Sequence, residues 1–213
     1  TLDYKGYGTE QVEYYLKKWF PETKICRLDY DTTREKDAFS RKLSSFFTGE
    51  YSILLGTQMI AKGLDVENVT LVGVINADIG LGALDYKARE KTFSQLLQVA
   101  GRAGRGNKLG EVVIQSYQVE QGMFDYLLKG DYEGFYQEEI KERELMGYPP
   151  FTNLLRILVS DTDEAYLKNA LALMKETIVN SNEVVTLMGP APCIIEKVRG
   201  RYRYQMILKG DGK

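Results

Sequence analysis

Apolar residues at Val12, Tyr15, Leu16 and Trp19 follow helical spacing and predict a helix over Thr9–Phe20, capped by Thr9 and ended by Pro21. Shorter apolar runs then alternate with helical patterns. They predict strand Lys24–Asp29, helix Asp37–Phe47, strand Tyr51–Gly56, strand Val69–Asn76, helix Ala88–Ala100 and strand Glu111–Ser116. Such alternation implies an α/β fold with a mostly parallel sheet covered on both faces.

The pattern changes after residue 120. Gln121–Gly130 and Tyr132–Leu145 read as helices. The second carries Glu138, Glu139, Lys141, Glu142, Arg143 and Glu144, the composition of a solvated face laced with ion pairs. Met146-Gly-Tyr-Pro-Pro150 ends it, because two prolines forbid a continuing helix. Strand Leu154–Ser160, helix Glu164–Val179, strand Val184–Met188 and closing strands Cys193–Val198 and Arg201–Lys209 predict a small mixed-sheet α/β domain. The expected organisation is a lobe over 1–120, a helical connector over 121–148 and a C-terminal domain over 149–213.

At 213 residues the chain can bury one good core or two modest ones. Its net charge of −2 means that any contact with a polyanion comes from local patches. No apolar run is long enough to span a membrane and Thr1 begins no signal-peptide pattern, so a cytoplasmic location is expected. The chain contains no histidine, which excludes Ser-His-Asp and Cys-His catalysis and His-ligated metal sites. Cys26 and Cys193 stand apart in apolar surroundings, as buried structural thiols do.

Candidate chemistry gathers in three places. In Gln98-Val-Ala-Gly-Arg-Ala-Gly-Arg105, Arg102 and Arg105 lie three residues apart on a glycine-rich turn, where Gly101, Gly104 and Gly106 permit close backbone approach to an anion. Two always-charged guanidiniums so placed can sense a γ-phosphate; the plainer alternative is a basic surface loop. The second place is Gly56-Thr-Gln-Met-Ile-Ala-Lys-Gly-Leu-Asp65, on the loop leaving a strand end, where open α/β sheets bind ligands. Thr57 can give a hydroxyl to a nucleic-acid phosphate and Asp65 can accept from a ribose hydroxyl or a water, although both residues also form ordinary caps and turns. In the third, Lys197, Arg199, Arg201 and Arg203 stand beside Tyr202 and Tyr204, with Arg201, Arg203 and Gln205 on one face and Tyr202, Tyr204 and Met206 on the other. That mixture suits single-stranded DNA, and equally suits a half-buried strand with its tyrosines in the core.

No Gly-x-x-x-x-Gly-Lys-Ser/Thr loop occurs. Asp163-Glu-Ala-Tyr166 imitates a Walker B box, but it follows the arginine motif and reads better as a helix start capped by Asp161 or Thr162.

Gly56-Thr-Gln-Met-Ile-Ala-Lys-Gly63 resembles motif V, and Gln98–Arg105 resembles motif VI, of superfamily 2 helicases. Tyr7-Gly-Thr-Glu10, Asp29, Asp31-Thr-Thr-Arg34, Gly147-Tyr-Pro-Pro-Phe151, Gly189-Pro-Ala-Pro192 and Arg199-Gly-Arg-Tyr-Arg-Tyr204 extend the resemblance to the PriA family of replication-restart helicases. It implies a RecA-like lobe followed by a small C-terminal domain, belonging to a DNA-dependent ATPase that moves 3′ to 5′ and remodels stalled forks for primosome assembly in the bacterial cytoplasm, at the nucleoid.

By the same resemblance Arg105 is the arginine finger, Arg102 supports it and Gln98 orients nucleotide or water. Gly63, Asp65, Gly101 and Gly104 serve the nucleotide side, and Thr57, Gln58 and Lys62 the DNA strand; Lys62 stands where many relatives carry arginine. ATP and magnesium would be shared with a first lobe absent from this sequence, so this portion is not expected to turn over ATP alone. Zinc would belong to cysteine clusters upstream of Thr1. Expected partners are single-stranded and forked DNA, primosome proteins and single-stranded-DNA-binding protein, with no membrane. Another superfamily 2 translocase lobe, or a non-catalytic fork-binding platform, are the alternative readings.

Overall fold

The computed structural model describes residues 8–29, 37–57, 69–82, 85–101, 110–120, 122–181 and 184–210. The chain divides into two compact units, Thr1–Tyr132 and Glu133–Lys213.

In the first unit, α1 (Thr9–Trp19) starts after Gly8, whose carbonyl accepts from the Gln11 and Val12 amides. Thr9 is therefore not the cap expected of it. Its hydroxyl instead donates to Asp29 Oδ2 at 2.7 Å, tying the helix to the strand that follows. β1 (Ile25–Leu28) pairs in parallel with β2 (Ile53–Gly56), and α1 and α2 (Ala38–Phe47) pack on β1. Cys26, Leu28 and Leu55 are buried there, and neither Cys26 nor Cys193 forms a disulfide.

β3 (Leu71–Val74) and β4 (Glu111–Ile114) form a second parallel pair. Between them in sequence lie α3 (Asp78–Leu81) and α4 (Ala88–Ala100). α4 buries Ala88, Thr92, Phe93 and Leu96 on one face and packs on α3 and on α5 (Met123–Lys129). Gly80 of α3 sits where any Cβ would collide with the Thr92 hydroxyl, so only glycine permits this helix contact.

The expected single sheet is thus corrected: among the described residues this unit holds two separate two-stranded parallel sheets. Nor is the second sheet covered on both faces, for Leu71 and Val113 are 60 % and 51 % exposed. Strand alternation in a sequence predicts parallel direction, but which edges meet is decided by backbone pairing that leaves no mark on side-chain pattern.

α6 (Tyr132–Met146) leads into the second unit. Its expected solvated charge face is also corrected at one pair, since Glu139 is buried and accepts from Arg143 Nε and Nη2 at 3.1 and 3.0 Å. Beyond it β5 (Asn153–Asp161), β7 (Arg201–Gly210) and β6 (Val185–Val198) form a sheet in the order β5-β7-β6. Every pairing is antiparallel, so the mixed sheet anticipated for this domain is an antiparallel one. Arg199 and Gly200, with φ of 50° and 81°, form the two-residue turn joining β6 to β7, a geometry that sets the strands antiparallel.

α7 (Glu164–Val179) covers one face, where Leu167, Leu171 and Met206 are fully buried among Ile157, Val159, Met174, Leu187, Tyr202 and Tyr204. Its cap is Asp163, which accepts from the Tyr166 amide at 3.0 Å, and not Asp161 or Thr162. Asp161 supports the cap one step earlier by accepting from the Asp163 amide. The two strands expected at Val184–Met188 and Cys193–Val198 are one irregular strand, β6, with register shifts after Met188 and Pro192. At the first shift Gly189 has φ of 96°, and a Cβ would stand 2.8 Å from the Gln205 carbonyl.

Candidate functional site: two element ends and a cationic sheet

The parallel register places Leu28 level with Gly56, so Asp29 and Thr57 leave the same carboxyl edge of the β1–β2 sheet. Thr57 is exposed there. Asp29 is buried and holds the Thr9 hydroxyl and Arg27 Nε, the latter at 3.0 Å. Arg27 also meets Glu13 at 2.9 Å and Glu10 at 3.4 Å, so one guanidinium ties α1 to the strand edge. A hydrogen bond from Lys17, helped by the charges of Lys17 and Arg27, holds the Glu13 carboxyl below its ordinary range. This network was not expected from the sequence, although an arginine inside Ile25-Cys-Arg-Leu28 is the signal of a paired cation in a strand. Gln58, Lys62, Gly63 and Asp65 lie outside the described residues.

Gln98 is exposed on the last turn of α4, and Gly101 closes that helix with its amide donating to the Leu97 carbonyl at 3.0 Å. Gly101 has an ordinary right-handed backbone (φ −70°), and a Cβ would meet only ordinary contacts. Its absent side chain is thus not demanded by the described local geometry. Arg102, Gly104 and Arg105 lie outside the described residues.

A second missed group anchors α4. Asp78 is buried and accepts from Ser116 Oγ and the Tyr117 amide, both at 2.8 Å, while its own amide donates to Asn76 Oδ1 at 2.9 Å. It thereby joins the ends of β3 and β4 to α3, and the Gly80–Thr92 contact carries that registration to α4, which bears Gln98.

In the second unit the alternation expected of the last hairpin holds, with the tyrosines on one face of the sheet and the arginines on the other. Tyr202 and Tyr204 pack against the core under α7. Lys197 stays with them, its Nζ 4.1 Å from the Tyr202 ring centroid. Arg201 belongs to the opposite face, donating from Nη2 to the Ser160 carbonyl at 2.9 Å, and Arg203, paired in register with Ser160, shares that face. Arg199 is exposed at the hairpin tip. The Tyr204 hydroxyl donates to Glu164 Oε1 at 2.9 Å, and the Glu164 carboxyl is lowered first by its bond from Lys168 and then by that from Tyr204.

Thr57 at a strand end, and Gln98 and Gly101 at a helix end, are the described residues among those that the two sequence motifs nominated there. Residues 6–107 match the Helicase conserved C-terminal domain family. Residues 144–213 match the Primosomal protein N C-terminal domain family, and with both matches in sequence the chain belongs to the PriA family. It is 43 % identical over 209 residues to the replication restart protein PriA of Bacillus subtilis, a match covering 96 % of this chain and 26 % of that protein. Against the Synechocystis protein of the same name identity is 38 %, over 98 % of this chain and 25 % of the relative. The Rickettsia felis protein is 37 % identical over all of this chain and 33 % of its own length. The chain thus spans between a quarter and a third of these relatives.

Among the described residues no helix is long and apolar enough to cross a membrane.

Proposed function

We propose that the chain is the second motor lobe and C-terminal domain of a DNA-dependent ATPase that translocates 3′ to 5′ and opens forked DNA during replication restart. The observation that carries this reading is the pair of successive family matches, helicase lobe then primosomal C-terminal domain, over a chain whose Thr57 and Gln98 are both exposed at element ends.

Bound ATP with magnesium supplies the driving reaction, and the residues proposed to face it here suit an anion: two guanidiniums, an amide and glycines. Arg105 places its charge on the outermost phosphate and Arg102 supports it. Gln98 orients the nucleotide or a water, and Gly63, Asp65, Gly101 and Gly104 shape the nucleotide side. Thr57, Gln58 and Lys62 hold the DNA strand, so that closing the lobes on nucleotide also shifts the grip on DNA. Arg199, Arg201 and Arg203, at the hairpin tip and on the side of the sheet away from α7, form the proposed C-terminal DNA contact, with Lys197, Tyr202 and Tyr204 on the other side. Primosome proteins and single-stranded-DNA-binding protein are the proposed protein partners, in the bacterial cytoplasm.

The test is DNA-stimulated ATP hydrolysis by the full-length protein carrying Arg105→Ala, at matched folding and DNA binding. A positioned finger is worth on the order of 10³–10⁵ in turnover, so a collapse is expected. Unchanged turnover would overturn the mechanism and favour a non-catalytic loading platform.

A further inference from the structure

The sheet of the second unit has two faces, and α7 covers only one. The β5–β7 ladder runs without interruption from Asn153↔Gly210 to Asp161↔Tyr202, so side chains alternate strictly between faces. With Ile157, Val159, Tyr202, Tyr204 and Met206 in the core under α7, the opposite face carries Arg156, Leu158 and Ser160 on β5 and Arg201, Arg203 and Gln205 on β7. Ile207 and Lys209 continue it, paired with Met188 and Thr186 of β6. These positions hold four cations and no carboxylate.

Arg156 is exposed, and neither Arg156 nor Arg203 has an ion-pair partner among the described residues. Lys209 is engaged by the turn after α6, donating to the Met146 carbonyl and lying 5.4 Å from the Tyr148 ring centroid. Three arginines are therefore left facing outward, in a chain whose net charge is −2. Leu158, 49 % exposed, and Gln205 lie between Arg203 and Arg156, so the cations border an uncharged centre. Arg156 and Arg203 are unpaired, Arg201 gives Nη2 to the Ser160 carbonyl, and the β5 and β7 positions of this face carry no carboxylate; such a charge pattern complements a polyanion, and alternate strand positions about 6.8 Å apart can meet successive phosphates.

We infer that this open face is a phosphate-tracking site for single-stranded DNA, with Arg156, Arg201 and Arg203 as its contacts. This rests on the DNA-translocase reading above but changes its C-terminal contact: Arg156 joins the site, and Tyr202 and Tyr204 support it from behind instead of stacking on bases. Binding is consequently by backbone charge and indifferent to sequence.

The experiment measures the affinity of the 213-residue chain for a fluorescent oligothymidine and for an abasic strand of equal length, without nucleotide, across a salt series. Each phosphate contact contributes about 0.7 to the slope of log K against log salt for a single strand. Arg156→Gln and Arg203→Gln are each expected to reduce the slope by about that amount on both strands. Lys175→Gln, an exposed charge on α7, is the control and leaves the slope unchanged, and an unchanged urea midpoint confirms folding. An unaltered slope in the arginine variants, an equal loss in the control, no DNA binding by the chain, or loss of affinity for the abasic strand alone each overturns the proposal. So does binding of a polyglutamate peptide that depends on Arg156 where DNA binding does not, which would give the face to an acidic protein. Because no nucleotide is present, failure here is separable from failure of the Arg105 test.

Discussion

Tyr204 on the central strand of the second unit donates its hydroxyl to Glu164 on the first turn of α7, 2.9 Å away and forty residues distant in sequence. Lys168 bonds the same carboxylate oxygen at 2.8 Å and lies 5.9 Å from the Tyr204 ring centroid. The tyrosine therefore joins sheet to helix, its ring packed against the core and its hydroxyl already engaged. Tyr204→Phe is expected to lower the urea midpoint with the slope of the transition unchanged, and to leave single-strand affinity as it was. A loss of affinity at an unchanged midpoint would restore the stacking role to this residue.

Close packing of α3 on α4 makes a second expectation. Gly80→Ala forces a methyl group into the Thr92 hydroxyl and should destabilise the chain by about 1–3 kcal/mol, the usual cost of overpacking. Combining it with Thr92→Ala should recover part of that loss, because the clashing atoms are then removed. Urea unfolding of both single variants and the double variant measures the coupling.

At the β6–β7 turn, Arg199 adopts a left-handed backbone with φ of 50°, a conformation that favours glycine or asparagine over arginine. Arg199→Asn is expected to raise stability by up to about 1 kcal/mol. If Arg199 also contacts DNA, the same change weakens binding, so stability and affinity move in opposite directions. Thermal unfolding and strand titration of this variant separate the two effects.

Acid should loosen the tie between α1 and the strand edge. The folded Glu13 carboxyl lies below its ordinary value of 4.5, chiefly through its bond from Lys17 and then the charges of Lys17 and Arg27. A lowered folded value means that the contribution is fully present above about pH 4.5 and disappears as pH falls through the folded value. Stability measured from pH 7 to 3 should decline on the acid side, and Glu13→Gln should make that decline shallower.

Much of the element plan was legible from residue spacing. Helix Ala88–Ala100 and helix Glu164–Val179 have the expected limits, because each has a long apolar repeat. Strand ends were less legible: Val69–Asn76 shrinks to Leu71–Val74, since Asn76 turns away to accept the Asp78 amide. Caps were misassigned at Thr9 and near Asp161 for a related reason. A hydroxyl or carboxylate in sequence can serve its own helix or a distant group, and Thr9 serves Asp29. Asp78 and Arg27 escaped notice because their partners at Ser116, Tyr117, Glu13 and Glu10 are remote in sequence or sit in an adjacent element.

By itself the sequence determined the family, the alternation of helix and strand in the first unit and the residue types able to meet phosphate, because motifs and periodicity are local properties. Tertiary structure decided what those residues face. The alternation of Arg201 and Arg203 against Tyr202 and Tyr204 was already legible, but the structure put α7 over the tyrosine side, kept Lys197 there, and set Arg156 of β5, in register with Ile207, on the arginine side. The cause is antiparallel pairing, which fixes side chains to faces through backbone hydrogen bonds, so that neighbours on the surface need not be neighbours in the chain.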